Sequence, residues 1–129
     1  LSVRPWQHVL DAVDGYLRYV EALHEDRALP TALNFAPSPE NPVTVQTVTE
    51  ILGKALGMPH PWKLSTDAEP VEMKLLTLDS SLAERTLGWR ARLTSTQAIE
   101  WAADWYLRHH EGADAKALTA DQIAKYESL

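Results

Sequence analysis

The chain contains no cysteine. That excludes a disulfide framework, a thiolate metal site and a cysteine nucleophile. Glycine is scarce, five in 129 residues, and no Gly-x-Gly-x-x-Gly or Gly-x-x-Gly-x-x-Gly run occurs. The sequence therefore carries no dinucleotide fingerprint. Asp14-Gly15 and the pair Gly53 and Gly57 are too isolated to cradle a phosphate. No tyrosine is followed at the fourth position by lysine; Tyr16, Tyr19 and Tyr106 have Val20, Leu23 and His110 there, and Tyr126 has nothing. No apolar run is long enough to span a membrane, and no signal peptide is visible. Lys and Arg number 12 against 18 Asp and Glu, and they are dispersed. A net charge of −6 argues against a surface that tracks nucleic-acid phosphates.

What remains is the composition of a soluble globular domain, 45% hydrophobic and 23% charged. A chain of this length buries roughly two-thirds of its unfolded surface, enough for one core. The absence of cysteine agrees with a cytoplasmic location. The first residue is Leu1, and a functional-looking motif follows at once; we expect a piece of a longer protein, made by design or by proteolysis.

Apolar residues at three- and four-residue steps (Val13, Tyr16, Leu17, Val20, Leu23) predict a first helix from about Asp11 to about Glu25, with Asp11 accepting a backbone N–H at its start. Ala32 to Ala36 reads as a short strand stopped by Pro37 and Pro39. Thr44 caps a second helix carrying Val45, Val48, Ile51, Leu52, Ala55 and Leu56, which Gly57 ends. Gly53 inside that helix costs about 1 kcal/mol against alanine, so close packing is expected there. Weak alternation over Trp62 to Thr66, and the stretch Met73 to Leu78, read as strands. Asp79 or Ser80 caps a short helix that Gly88 terminates. Trp89 reads as a buried packing residue.

Thr94 and Gln97 form a capping box for a helix whose stripe is Ala98, Trp101, Ala102, Trp105 and Tyr106. His109-His110 cannot ligate one metal well, because adjacent helical residues point about 100° apart. Gly112 to Leu118 reads as a linker, and Thr119 with Gln122 as a second capping box for a terminal helix over 119–129. The elements describe one mostly helical α/β domain over 1–129 with a few short strands.

Arg4 stands on an extended piece just ahead of a capped helix. Read from the residues alone, it is either an anion-binding arginine or a solvated charge on an edge strand. Arg4-Pro5-Trp6-Gln7-His8-Val9-Leu10-Asp11 resembles the segment that opens the C-terminal substrate region of nucleotide-sugar-modifying extended short-chain dehydrogenases/reductases. The Arg-Pro-Trp-Gln-His-Val form resembles the CDP-glucose 4,6-dehydratases in particular. Asn34-Phe35-Ala36-Pro37, Leu78-Asp79-Ser80-Ser81-Leu82-Ala83 and Leu87-Gly88-Trp89 fit the same family in the same order.

The resemblance implies a C-terminal substrate-binding domain whose N-terminal Rossmann partner is absent. It implies Arg4 at the diphosphate of a nucleotide sugar and Asn34 near the bound nucleotide. Glu69-Pro70-Val71-Glu72 stands where dTDP-glucose relatives have Arg-Pro-Gly-His, so the phosphate-binding arginine of that loop is missing. Glu72 survives from the His-Glu pair common in CDP-glucose relatives, and a carboxylate can accept from cytosine N4. The bland alternatives are a strand-end asparagine and a solvated loop carboxylate. The implied parent reaction is loss of water from CDP-glucose to give CDP-4-keto-6-deoxyglucose, with NAD held by the missing domain. No catalytic, cofactor-binding or metal-binding residue is assigned within these 129, and the chain alone is expected to be inactive. Its expected partners are the nucleotide sugar, CDP-glucose first, and the Rossmann part, with self-association of the isolated piece; neither nucleic acid nor membrane is expected. Another nucleotide-sugar epimerase or dehydratase, or a stand-alone non-catalytic binding or interaction domain, are the alternatives.

Overall fold

The computed structural model describes residues 2–25, 28–40, 42–63 and 73–129. Their order is β1 (Val3–Arg4), α1 (Val9–His24), β2 (Val43–Thr44), α2 (Val45–Ala55), α3 (Ser81–Leu87), α4 (Ser95–His110) and α5 (Ala115–Glu127). The domain is mostly helical, as expected. The two strands pair antiparallel, Val3 opposite Thr44 and Arg4 opposite Val43.

Helix ends follow local chemistry. Thr44 Oγ1 accepts from the Thr47 N–H at 3.1 Å and starts α2. Gly57 ends it at φ +69°, with Met58 N donating to Gly53 O and Gly57 N to Lys54 O. That is a Schellman closure, and only glycine takes such a φ without strain. Thr94 and Gln97 form the anticipated reciprocal box at the head of α4, a device worth about 1 kcal/mol. Asp79 Oδ1 accepts the Ser81 N–H at 2.8 Å, and Gly88 closes α3 at φ +65°.

Two packing centres result. Val43, Val48 and Ile99 form one, where α2 lies on α4, with Trp6, Ile51 and Leu52 against them. The other centres on Phe35. Its ring meets Tyr16 and Trp89 edge-on at 5.7 and 5.0 Å. Trp89 is buried as expected, 1% exposed. A Cβ on Gly15 would overlap the Phe35 ring, so α1 needs glycine there to let the ring approach. Gly53 is explained the same way: an added Cβ would lie 2.5 Å from Pro61.

Several expectations need correction. Helix α1 starts at Val9, not Asp11, and its N-cap is His8, whose Nδ1 accepts from the Leu10 N–H at 3.3 Å. Asp11 is fully buried within the first turn. Its face of small residues, with Gly15 and Ala22, packs inward. The apolar stripe Val13, Tyr16, Leu17, Val20 and Leu23 instead faces outward, Val20 being 61% exposed. Ala32 to Ala36 forms no regular element and belongs to no ladder. From Met73 to Leu78 only Leu75 bridges, parallel to Val3. Trp62 and Lys63 form no strand, and the rest of that predicted strand lies outside the described residues.

The predicted linker over Gly112 to Leu118 is helical from Ala115, because Asp114 Oδ1 accepts from the Ala117 N–H at 2.9 Å. Thr119 and Gln122 do not cap. Thr119 Oγ1 donates back to Ala115 O, and Gln122 Nε2 donates to Trp101 O across to α4. The α4 stripe is partly core: Ala98 is buried, whereas Tyr106 is 63% exposed.

Candidate functional site

Arg4 sits on the short sheet, and the backbone there is fixed from both sides. Val3 N donates to Lys74 O, Leu76 N donates to Val3 O, and Val45 N donates to Ser2 O. Strand β1 thus lies between β2 and the Lys74–Leu76 stretch. The Arg4 guanidinium bridges the same stretch: its NH1 donates to Val3 O at 2.8 Å and to Met73 O at 3.1 Å. Arg4 lines a small cleft together with Pro37, Ser38 and Pro39 and with Leu76, Thr77 and Leu78. Prolines suit that lining, since their fixed φ makes it rigid at little entropic cost. Ser95, at the head of α4, also lines the cleft, and its Oγ donates to Trp6 O at 2.9 Å.

Asn34 is exposed, and its Nδ2 donates to Asp79 O at 3.3 Å. Arg4 and Asn34 therefore hold the two ends of one segment, Met73 and Asp79, by its carbonyls. The Ser81 backbone N–H holds the Asp79 carboxyl below the usual carboxylate range. Glu72, the third residue singled out in the sequence, lies outside the described residues.

Behind Arg4 the motif runs into a buried polar hub that sequence reasoning missed. Asp11 Oδ1 accepts from Arg92 N at 2.8 Å and from the Tyr126 hydroxyl at 2.7 Å. Arg92 NH1 donates to Tyr126 O, and the guanidinium also lies 5.0 Å from the Tyr126 ring centre. One carboxyl thus joins α1, the turn before α4 and the end of α5. Burial, reinforced by Asp11, pushes the Tyr126 phenol well above its ordinary value. His8 is buried beside Trp101, ring centres 5.7 Å apart. Burial lowers its pKa, opposed by the nearby Asp11 carboxyl and a hydrogen bond with Gln122. A neutral ring suits its capping role, because Nδ1 must keep a lone pair for the Leu10 N–H. The one signal available beforehand was the Asp11, Gly15, Ala22 face, whose small side chains mark a close approach.

No family model matches the chain. Along nearly its whole length, however, it is similar to proteins of the nucleotide-sugar dehydratase and epimerase kind, and the resemblance read from the sequence is borne out. One such relative is a CDP-glucose 4,6-dehydratase of Salmonella typhimurium, 30% identical over 128 residues. That match takes in 98% of this chain and 36% of the relative. A UDP-glucose 4-epimerase of Bifidobacterium longum is 26% identical over 111 residues, 86% of this chain and 31% of the relative. A crystal structure of a UDP-galactose 4-epimerase superposes with a TM-score of 0.63 at 25% identity, covering 84% of this chain and 34% of that one. The chain therefore spans about a third of the length of the proteins it matches.

Proposed function

We propose that this chain is the nucleotide-sugar-binding portion of a CDP-glucose 4,6-dehydratase, and that residues 1–129 form one substrate-binding domain closed by the α5 helix. The observation that carries this reading is the placement of Arg4. Its strand is pinned on both sides, Arg4 lines a cleft that also holds four prolines directly ahead of Trp6-Gln7-His8-Val9, and its guanidinium is held at the Val3 and Met73 carbonyls. A guanidinium so placed can donate to two oxygens of a diphosphate, a geometry lysine cannot copy. Asn34 orders the far end of the same segment and is the second substrate contact. Glu72 reads cytosine through its N4 amino group and disfavours uracil, whose carbonyl repels a carboxylate.

In this reading NAD is held by another part of the parent. The glycines of this chain do not fit a dinucleotide. Phe35 occupies the space at Gly15, Pro61 occupies it at Gly53, and Gly57, Gly88 and Gly112 each stand singly at a positive φ. The outward apolar stripe of α1 supports a docking role, since a face of that kind is the ordinary seat of a neighbouring domain. Substrates collect at such junctions. Among the described residues no helix is long and apolar enough to cross a membrane, and we place the parent in the cytoplasm.

The test is Arg4→Lys in the longer parent. The Michaelis constant for CDP-glucose should rise markedly, and Glu72→Gln should narrow the preference for CDP-sugars over UDP-sugars. Unchanged kinetics for the first variant would discard the diphosphate role. Equal base discrimination in the second would discard the base-reading role. The two epimerase relatives favour a second reading, an epimerase of the same kind. A parent that interconverts a UDP-hexose and its 4-epimer, and forms no 4-keto product, would establish it.

A further inference from the structure

We infer that Ser95 is a positioning residue for Arg4, its buried hydroxyl fixing the turn that leads from Arg4 into Trp6-Gln7-His8-Val9. The β1–β2 ladder is two residues long and ends at the Arg4 and Val43 pair. Past that pair, the strand's exit is a three-residue turn in which Trp6 N donates to Arg4 O at 2.9 Å. Pro5 stands at its centre, and its ring fixes φ in the range such a turn uses. The far side of the turn is tied twice. Trp6 packs against Val43, Val48 and Ile99, and its carbonyl accepts from Ser95 Oγ at 2.9 Å.

The Ser95 hydroxyl is not needed by its own helix, because Thr94 and Gln97 already form the reciprocal box at the head of α4. Ser95 is 6% exposed and lines the same cleft as Arg4 and Pro5. A hydroxyl buried this deeply costs stability unless it is bonded, and here its proton goes to the carbonyl that ends the Arg4 turn. A guanidinium on a fixed backbone binds better, since less of its binding energy goes into ordering. With the tie removed, a bound diphosphate has to order the turn as well as pair with Arg4. This inference rests on the assignment of Arg4 to a diphosphate.

Calorimetric titration of CDP-glucose and of UDP-glucose into the longer parent tests it, with wild type, Arg4→Lys, Ser95→Ala and the double variant. Ser95→Ala should raise Kd about fivefold for both ligands, the size of one added ordering cost. A merely structural loss would lower the number of sites that bind and leave Kd alone. In the Arg4→Lys background the serine change should add less than about twofold, because a residue that acts through Arg4 is coupled to it. Ser95→Cys, close in shape and a far weaker donor, replaces the alanine variant if that one folds poorly by circular dichroism. Where Arg4→Lys weakens binding, a folded Ser95 variant with unchanged Kd overturns this inference and leaves the reading of Arg4 standing. So do two effects that multiply in full. A wild type that binds neither ligand, or an Arg4→Lys with unchanged Kd, overturns the reading of Arg4 and this inference with it.

Discussion

Tyr126→Phe isolates one bond of the buried hub. The ring and its contact with the Arg92 guanidinium remain, and only the hydroxyl 2.7 Å from Asp11 Oδ1 is lost. Asp11 then keeps a single partner, the Arg92 N–H, because its Oδ2 already has none. Losing such a bond to a buried carboxyl costs about 2 kcal/mol, between the neutral and charge-assisted values. For a domain of this length that lowers the melting temperature by roughly 8 °C. Urea or thermal unfolding followed by circular dichroism reads it directly. The pH dependence supplies a second readout. The Tyr126 phenol is raised in the folded state, so the folded chain retains its proton longer. The contribution is present below pH about 10 and is lost as pH climbs above it. The phenylalanine variant should lack that alkaline loss. A change below about 0.5 kcal/mol, the size of an ordinary surface substitution, would refute the hub as the tie between α1 and α5.

Two further outcomes follow from packing and charge. Gly15→Ala adds a methyl group where the Phe35 ring lies, so despite better helix propensity it should destabilise the fold by about 1–3 kcal/mol, the cost of overpacking; a gain in stability would show that the ring moves aside freely. His8 is held below its ordinary pKa by burial, so the folded chain binds fewer protons than the unfolded one. Stability should be full above pH about 6.5 and fall as pH drops through that value, a slope that His8→Gln should flatten and that equilibrium unfolding across pH would detect.

The caps were legible because each is a local bargain between one side chain and the next turn of backbone. Thr44, Thr94 with Gln97, and Gly88 needed nothing beyond three or four neighbours. The strands were not legible in the same way. Ala32 to Ala36 has strand composition, but a ladder needs a partner backbone, and local sequence does not name one. Helix α1 misled for a related reason. Its period was right, yet hydrophobicity alone does not say which neighbour covers the stripe, and the inward face proved to be Asp11, Gly15 and Ala22. The α5 start was missed because Thr119-x-x-Gln122 matches a capping box, while Asp114 offers the same chemistry one turn earlier. Arg4 was visible through its motif. Its cleft was not, since Pro37 to Pro39 and Leu76 to Leu78 meet only in three dimensions.

The most direct test of the central claim is calorimetric titration of CDP-glucose and UDP-glucose into the longer parent, as wild type and as Arg4→Lys. The diphosphate is common to both ligands. Loss of a bidentate contact should therefore weaken both by about tenfold or more, and by the same factor. Affinities that do not change, or that change for one base alone, would contradict the assignment of Arg4 to the diphosphate.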